Sequence, residues 1–315
     1  MDLAKKIQYF TLDVISTVGL GKSFGMLKED RDVDDYIKSS EEGLHIVNFS
    51  VGVGISWILQ TPWVAKLVGP SPKDAKGYGK MIGTAYRYVD ERAAKPIDAR
   101  SDMLASFMRH GLNGEELRSE ALEQVLAGSD TTASGIRGIL LYLISNPIVY
   151  GKLQSEIDDA IKIGNAPASP EIISLAQAAK LPYLQAVIRE GGDTFVIDGR
   201  SYFIPGGTEI GYSAVSMHHD KGLYGDDAEH FKPERWLTGD KEKLAAMIRS
   251  NELVFGHGKF HCLGKPVAQL ELNKIIFELL RNFNWGLANP EKPWRIYNAM
   301  GLFMTNDMWV YVTER

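Results

Sequence analysis

The chain is poor in several things that would have given it a quick reading. It has one cysteine, Cys262, in 315 residues. A lone thiol cannot close an intramolecular disulfide, so a secreted disulfide scaffold and a zinc cluster of several cysteines are both excluded. It also lacks a basic excess: 35 Lys and Arg stand against 40 Asp and Glu, a net charge of −5 with histidines neutral. That balance carries no electrostatic footprint for nucleic acid, and none is expected as a partner. Internal repeats and low-complexity segments are absent as well.

Long apolar runs are scarce too. Residues 44–59 form the most apolar stretch, but His45 and Asn48 interrupt it, and it falls short of the roughly 20 residues that span a bilayer. It reads as a buried or interfacial helix. Near the N-terminus, Lys5 and Lys6 followed by Ile7, Tyr9, Phe10, Leu12, Val14 and Ile15 imitate a signal peptide, with Asp13 breaking the apolar core. Their spacing fits an amphipathic helix ending near Gly19 and Gly21 better. The expectation is a chain with neither a signal peptide nor a membrane anchor.

What is present is an ordinary globular mixture, 44% apolar and 24% charged, with enough length for one large domain or two ordinary ones. Helical periodicity dominates the first 190 residues. Ser71-Pro72-Lys73-Asp74 offers a cap, a proline for the first helical position and an acid for the positive helix end, predicting a helix from there to about Ala94. Asn113-Gly114-Glu115-Glu116 marks another start, and no proline follows until Pro147. A helix over 114–145 would run about 48 Å at 1.5 Å per residue. Further helices are predicted over 147–163, from Leu181-Pro182 to Glu190, and over 264–281. After Glu190 the texture changes: 194–197 and 200–204 flank Asp198-Gly199, a two-residue hairpin signal, with a third strand over 208–212. Residues 218–237 read as an ordered meander, and 302–305 and 308–312 as short strands. The fold class is mainly α with a small β portion.

The most informative segment is Phe255-Gly256-His257-Gly258-Lys259-Phe260-His261-Cys262-Leu263-Gly264, directly before a predicted helix. Glycines on both sides let backbone approach a flat partner, and helix N-terminal amides favour thiolate over thiol. From the residues alone, Cys262 is either a structural cysteine in a glycine-rich turn or a metal-bound thiolate. Zinc would have to use His257, His261 and Cys262, whereas a closed zinc site wants four ligands and the adjacent His261 and Cys262 would strain to share one ion. Mid-way along the long helix, Ala127-Gly128-Ser129-Asp130-Thr131-Thr132 collects poor helix formers. Read alone, this is either a small-residue packing face or a local break in the helical ladder.

Together these segments resemble the cytochrome P450 monooxygenases. Phe255, Gly258, Cys262 and Gly264 fill the family's haem-loop pattern F-x-x-G-x-x-x-C-x-G. Residues 259–266 are similar to fungal members of the pisatin demethylase-like group. Residues 127–132 match the oxygen-activation motif A/G-G-x-D/E-T-T/S, and Phe231-Lys232-Pro233-Glu234-Arg235-Trp236 matches the meander element F-x-P-E-R-F/W. Ile204-Pro205-Gly206-Gly207-Thr208 falls at a strand-entry turn. The resemblance implies a single cytochrome P450 domain over 1–315, incomplete relative to the family, with a helix-rich part over 1–190 and a hairpin, meander and haem-loop part over 191–315.

It also implies haem held by Cys262 as sole protein ligand to iron. Gly128, Phe255, Gly258 and Gly264 would shape the pocket, and Lys259 would stand in for the propionate-binding arginine that many members carry where Phe260 lies. Asp130 and Thr131 would relay protons to bound dioxygen. Electrons would come from NADPH through a cytochrome P450 reductase meeting the surface near Lys259 and Lys265, and the substrate would be small and lipophilic, in fungal secondary metabolism or xenobiotic oxidation. Family members are usually membrane-anchored at the endoplasmic reticulum, so a chain with no anchor is expected to be cytoplasmic or membrane-peripheral.

The departures are specific. In the family's E-x-x-R motif, Glu190 supplies the acid but Asp193 occupies the arginine position, after Gly191-Gly192. The segment that normally comes next, the early helices and a W-x-x-x-R element are not found. Glu190 and Arg235 are therefore expected to pair alone or to leave their charges poorly satisfied. The alternative function is a non-catalytic truncated remnant, or a mispredicted gene product, with weak or no haem binding.

Overall fold

The computed structural model describes residues 1–59, 61, 63–64, 67, 69–95, 102–190, 217–299 and 302–315. Its main helices are α1 (Leu3–Leu20), α2 (Tyr36–Gly52), α3 (Gly77–Ala93), α4 (Met103–Arg109), α5 (Gly114–Ser145), α6 (Pro147–Lys162), α7 (Pro182–Glu190), α8 (Lys241–Glu252) and α9 (Lys265–Asn282). Strands β1 (Phe283–Leu287) and β4 (Val310–Glu314) pair antiparallel, as do β2 (Arg295–Ala299) and β3 (Leu302–Asn306). The fold is mainly α with little strand. The chain forms two compact units, one of residues 2–134 and 291–309, the other of residues 1, 135–290 and 310–315. Helix α5 contributes to both.

In the unit of 2–134, α1 starts where Asp2 accepts from the Lys5 amide and stops at Gly21, whose φ of 69° suits a residue without Cβ. Asp13, the charge inside the apolar run, accepts from the amides of Gly25, Met26 and Leu27 at 2.7, 3.0 and 3.0 Å. It thereby caps the next turn of chain. The core joins Tyr9, Leu12 and Ile15 of α1 to Met81 and Val89 of α3 and to Leu117 and Val125 of α5, each large side chain adding roughly 1.5–3 kcal/mol of burial. The Phe24 ring packs against Tyr36 and Tyr88, centroids 5.2 and 4.8 Å away. Asp102 caps α4 through the Ala105 amide at 2.7 Å and pairs with buried Arg92.

Two helices depart from expectation. Helix α3 begins at Gly77, not at Ser71. The Ser71-to-Asp74 residues close a separate turn, in which Asp74 accepts from the Ser71 amide at 2.8 Å. That turn folds back over α3, and a Cβ on Gly79 or Gly83 would run into the Ser71 and Pro72 carbonyls. Within residues 44–59 the helical reading stands, but Ile46, Phe49, Val51 and Trp57 are exposed. The buried face of α2 includes Ser39, Ser40, Gly43 and Ser50. Gly43 meets the Tyr78 ring so closely that a Cβ would overlap it, and this small-residue contact with α3 turns the larger apolar side chains outward.

In the other unit, α6, α7 and α9 share a core that includes Leu153, Ile157, Leu184, Val187, Ile276 and Phe277. Glu156 of α6 accepts from the Tyr183 and Leu184 amides at 2.7 and 2.8 Å, satisfying the first turn of α7 with a negative charge at its positive end. The expected meander takes the form of turns, a short helix at Lys221–Tyr224 and a 3-10 turn at Pro233–Leu237. The predicted Asp198-Gly199 hairpin, the strand over 208–212, the Pro205-Gly206-Gly207 turn and Asp193 lie outside the described residues.

One carboxylate of this unit stands apart. Glu271 of α9 is 3% exposed, and neither of its oxygens has a hydrogen-bond partner among the described residues. Burial pushes its carboxyl up to about 8. The folded chain therefore holds a proton that the unfolded chain releases above the ordinary glutamate range. Stability is fully present below that range and is lost as pH rises toward 8. At about 1.4 kcal/mol per tenfold change in proton affinity, denaturant unfolding is expected to show a loss on the order of 3 kcal/mol between about pH 5 and pH 8, and Glu271→Gln to flatten that slope. A slope unchanged in the variant would mean that Glu271 is ionised in the folded chain.

Candidate functional site

The cysteine loop is built outward from the end of α7. Glu190, the last residue of that helix, accepts from Arg235 Nε at 2.9 and 3.0 Å, from the Lys232 amide at 2.7 Å and from the Trp236 indole at 2.7 Å. The remaining Arg235 donors reach the carbonyls of Tyr224, Asp227 and His230 at 2.7–2.9 Å and Asp227 Oδ1 at 3.1 Å. The two side chains are 8% and 6% exposed. The pair is thus neither alone nor poorly satisfied, which corrects the expectation drawn from the missing arginine: a backbone amide and an indole fill the carboxylate's other lone pairs.

From this anchor the chain reaches Cys262 in two steps. Tyr224, Trp236, Met247 and Ala186 form one apolar cluster, seating α8 against α7, and Asn251 donates to the Arg189 carbonyl at 3.2 Å. The end of α8 is therefore tied to the residue next to Glu190. A 3-10 turn, Leu253–Phe255, comes next, and Gly256 and Gly258 take φ of 73° and 64°, conformations that disfavour a side chain. The Cys262 amide then donates to the Phe255 carbonyl at 2.6 Å, closing the loop. Lys265, on the first turn of α9, bonds Glu252 at 3.0 Å and lies 5.6 Å over the Phe255 ring.

Cys262 is exposed at the start of α9. Gly264 follows so closely that a Cβ there would come within 3.6 Å of Sγ. Exposed Leu253, Val254 and Leu263, the last at 79%, give the loop an apolar rim. Among the described residues no group of three or more His, Cys, Asp and Glu side chains could hold a metal ion, so the zinc reading through His257, His261 and Cys262 has no support. A single soft cysteine sulfur on an apolar, glycine-turned ledge fits a flat, mostly apolar macrocycle that supplies the metal's other donors itself.

The second candidate segment lies in the other unit. Helix α5 is continuous over Gly114–Ser145, so the alternative of a local break at 127–132 is not what the structure contains. The hydroxyls bond backward instead: Thr131 donates to the Ala127 carbonyl at 2.7 Å and Ser129 to that of Leu126 at 3.4 Å. Gly128 faces Ile15 of α1, whose Cδ1 and Cγ1 would each lie 2.7 Å from a Cβ. Thr131 is exposed, and Asp130 accepts from the buried Gln8 amide.

Residues 1–191 and 193–310 match the family model for cytochrome P450. The chain belongs to the cytochrome P450 family. It is 40% identical over 334 positions to cytochrome P450 monooxygenase ABA1 of Pyricularia oryzae, and 39% identical over 331 positions to aba1 of Botryotinia fuckeliana. Each comparison covers the whole of this chain and 64% of the relative, so the chain spans just under two thirds of the length of these curated relatives. Its fold is similar to the crystal structure of the P450DA haem domain, with a TM-score of 0.76 at 16% identity, over all of this chain and 69% of that one.

Within this P450 chain, the site residues named from sequence fall into three places. Phe255, Gly258, Lys259, Cys262 and Gly264 form the loop; Glu190 and Arg235 form its anchor; Gly128, Asp130 and Thr131 lie along α5 in the other unit. Sequence reasoning missed Gln8 beside Asp130, the Trp236 indole and Lys232 amide on Glu190, and Asn251. No motif points to Gln8 or Asn251. Trp236 was visible as the last residue of the meander element, but its role needed the geometry. Glu190→Ala is expected to cost about 3–5 kcal/mol in denaturant unfolding, because it strands a buried guanidinium; a loss under about 1 kcal/mol would show that the pair does not hold the meander.

Proposed function

We propose that the protein is a haem-thiolate monooxygenase that inserts one oxygen atom of O2 into a small lipophilic substrate, with electrons drawn from NADPH through a cytochrome P450 reductase. The observation that carries this reading is the exposed Cys262 thiol on its glycine-turned, apolar-rimmed loop at the head of α9. Haem bound there would supply dioxygen activation, favoured by electron donation from the thiolate. Cys262 would hold the iron, Lys259 would meet the group's negative charge, and Phe255 and the glycines would hold the loop in shape. In the other unit, Asp130 and Thr131 would move protons, with Gln8 orienting the Asp130 carboxylate. The proposed setting is fungal secondary metabolism or xenobiotic oxidation; the named relatives are fungal P450 monooxygenases.

The alternative, a non-catalytic remnant, draws on the residues that the relatives carry and this chain lacks, since the alignment with the Pyricularia protein runs over 334 positions against 315 here. The satisfied Glu190–Arg235 network favours the monooxygenase. The reduced carbon monoxide spectrum of the haem-reconstituted chain tests it: a strongly red-shifted band is expected, and Cys262→Ser is expected to abolish it. Absence of that band in the parent chain would favour the remnant.

The protein is further proposed to be membrane-peripheral. No helix among the described residues is long and apolar enough to cross a membrane, while Ile46, Phe49, Val51 and Trp57 form an exposed apolar stretch that supports interfacial binding. Flotation with phospholipid vesicles is expected to carry the chain upward, and Phe49→Ser with Trp57→Ser to lower the bound fraction several-fold. An unchanged fraction would remove this surface from consideration.

A further inference from the structure

A loop that must present one sulfur to a flat partner needs something to hold it, and burial of its own apolar side chains does little here. Cys262 is exposed, and so are Leu253, Val254 and Leu263. Gly256 and Gly258, both in the left-handed region, give the segment much conformational freedom to lose on folding. Phe255 and Lys265, at its two ends, are the half-buried side chains, and they meet. The role argued here for Lys265 rests on the reading of Cys262 as the haem ligand.

The sequence offers Lys265 as a charge for meeting a reductase, yet its side chain is only 17% exposed. The ammonium donates to Glu252 Oε1 at 3.0 Å and lies 5.6 Å from the centroid of the Phe255 ring. One cation therefore engages both the end of α8 and the first residue of the loop. Each of those partners is tied down a second time. Asn251, beside Glu252, donates to the Arg189 carbonyl at 3.2 Å, and the Phe255 carbonyl accepts from the Cys262 amide at 2.6 Å. Phe255 is thus held through its ring by Lys265 and through its backbone by Cys262. Glu252 is 55% exposed, so the ion pair alone is weak. The aromatic face gives the same charge a second attraction.

We propose that Lys265 is a positioning residue for Cys262, latching the cysteine loop shut by holding Glu252 and the Phe255 ring from the first turn of α9. Without its charge the ring is released, and the Phe255 carbonyl loses its fixed place opposite the Cys262 amide. Latching and docking make opposite predictions at Glu252. If Lys265 served to meet an acidic reductase, removing the neighbouring Glu252 charge would strengthen the encounter. As a latch, losing either partner loosens the same loop.

Amide hydrogen exchange of the purified full chain reads the loop without any cofactor. Lys265→Met and Glu252→Gln are each expected to speed exchange of the Cys262 amide roughly two- to fivefold, with the amides of Ile276 and Phe277 in the α9 core unchanged. Lys265→Arg is expected to match the parent, because a guanidinium also pairs with a carboxylate and stacks on a ring. The combined Lys265→Met and Glu252→Gln variant should exchange no faster than Lys265→Met alone. A Cys262 rate unchanged in Lys265→Met overturns the latch, and so does a rise shared equally by Ile276 and Phe277. In the haem-reconstituted chain, Lys265→Met is expected to lower the red-shifted carbonyl fraction and Lys265→Arg to restore it. Faster reductase-driven reduction in Glu252→Gln, with its Cys262 amide unchanged, would assign Lys265 to docking and overturn the latch. Absence of the red-shifted band from the parent would instead overturn the haem reading, and the amide rates would still decide the latch.

Discussion

The buried contact between Glu190 and Arg235 is the constraint on which the cysteine loop depends. A carboxylate and a guanidinium taken out of water cost several kcal/mol each unless every donor and lone pair finds a partner. Here they do: Glu190 accepts from a guanidinium, an amide and an indole, and Arg235 also reaches three carbonyls. Those partners belong to α7 and to the irregular 224–236 segment, which has little regular hydrogen bonding of its own. The pair thus does for the meander what a ladder does for a sheet, and through the Asn251 bond to Arg189 it fixes where the chain leaves α8 for the loop.

Among the described residues, Glu190 is satisfied by a single guanidinium together with neutral donors. A carboxylate offers about four acceptor sites, and nothing requires that one of them be filled by a second guanidinium. The Trp236 indole and the Lys232 amide are close in sequence to Arg235, so the same turn that delivers the charge also delivers the neutral donors.

Where a helix boundary is set by a local group, it was readable from the residues. Gly21 at the end of α1, Gly114 and Pro147 around α5 and Pro182 at α7 all act within one turn of the backbone they terminate or start. The Ser71 start failed because its capping atoms were used elsewhere. Asp74 bonded its own turn, and Gly79 and Gly83 admitted that turn onto α3, a tertiary contact no local signal announces. The exposed side chains of α2 have the same origin, since close approach of Gly43 to Tyr78 decided which face was buried. Of the candidate site, the loop was legible because its glycines and cysteine are contiguous. Gln8 beside Asp130 was not, because it comes from α1, 122 residues away.

The buried acids differ in how their charge is met. Asp102 and Glu190 are each paired with a buried guanidinium, Arg92 and Arg235, so removing either carboxylate would strand a buried charge. Glu271 has no partner among the described residues, so it remains neutral until alkaline pH. Burial acts on Glu271 unopposed, whereas at Glu190 it is opposed by the Lys232 amide, the Arg235 guanidinium and the Trp236 indole, so the same desolvation leaves one acid neutral and the other half of an ion pair.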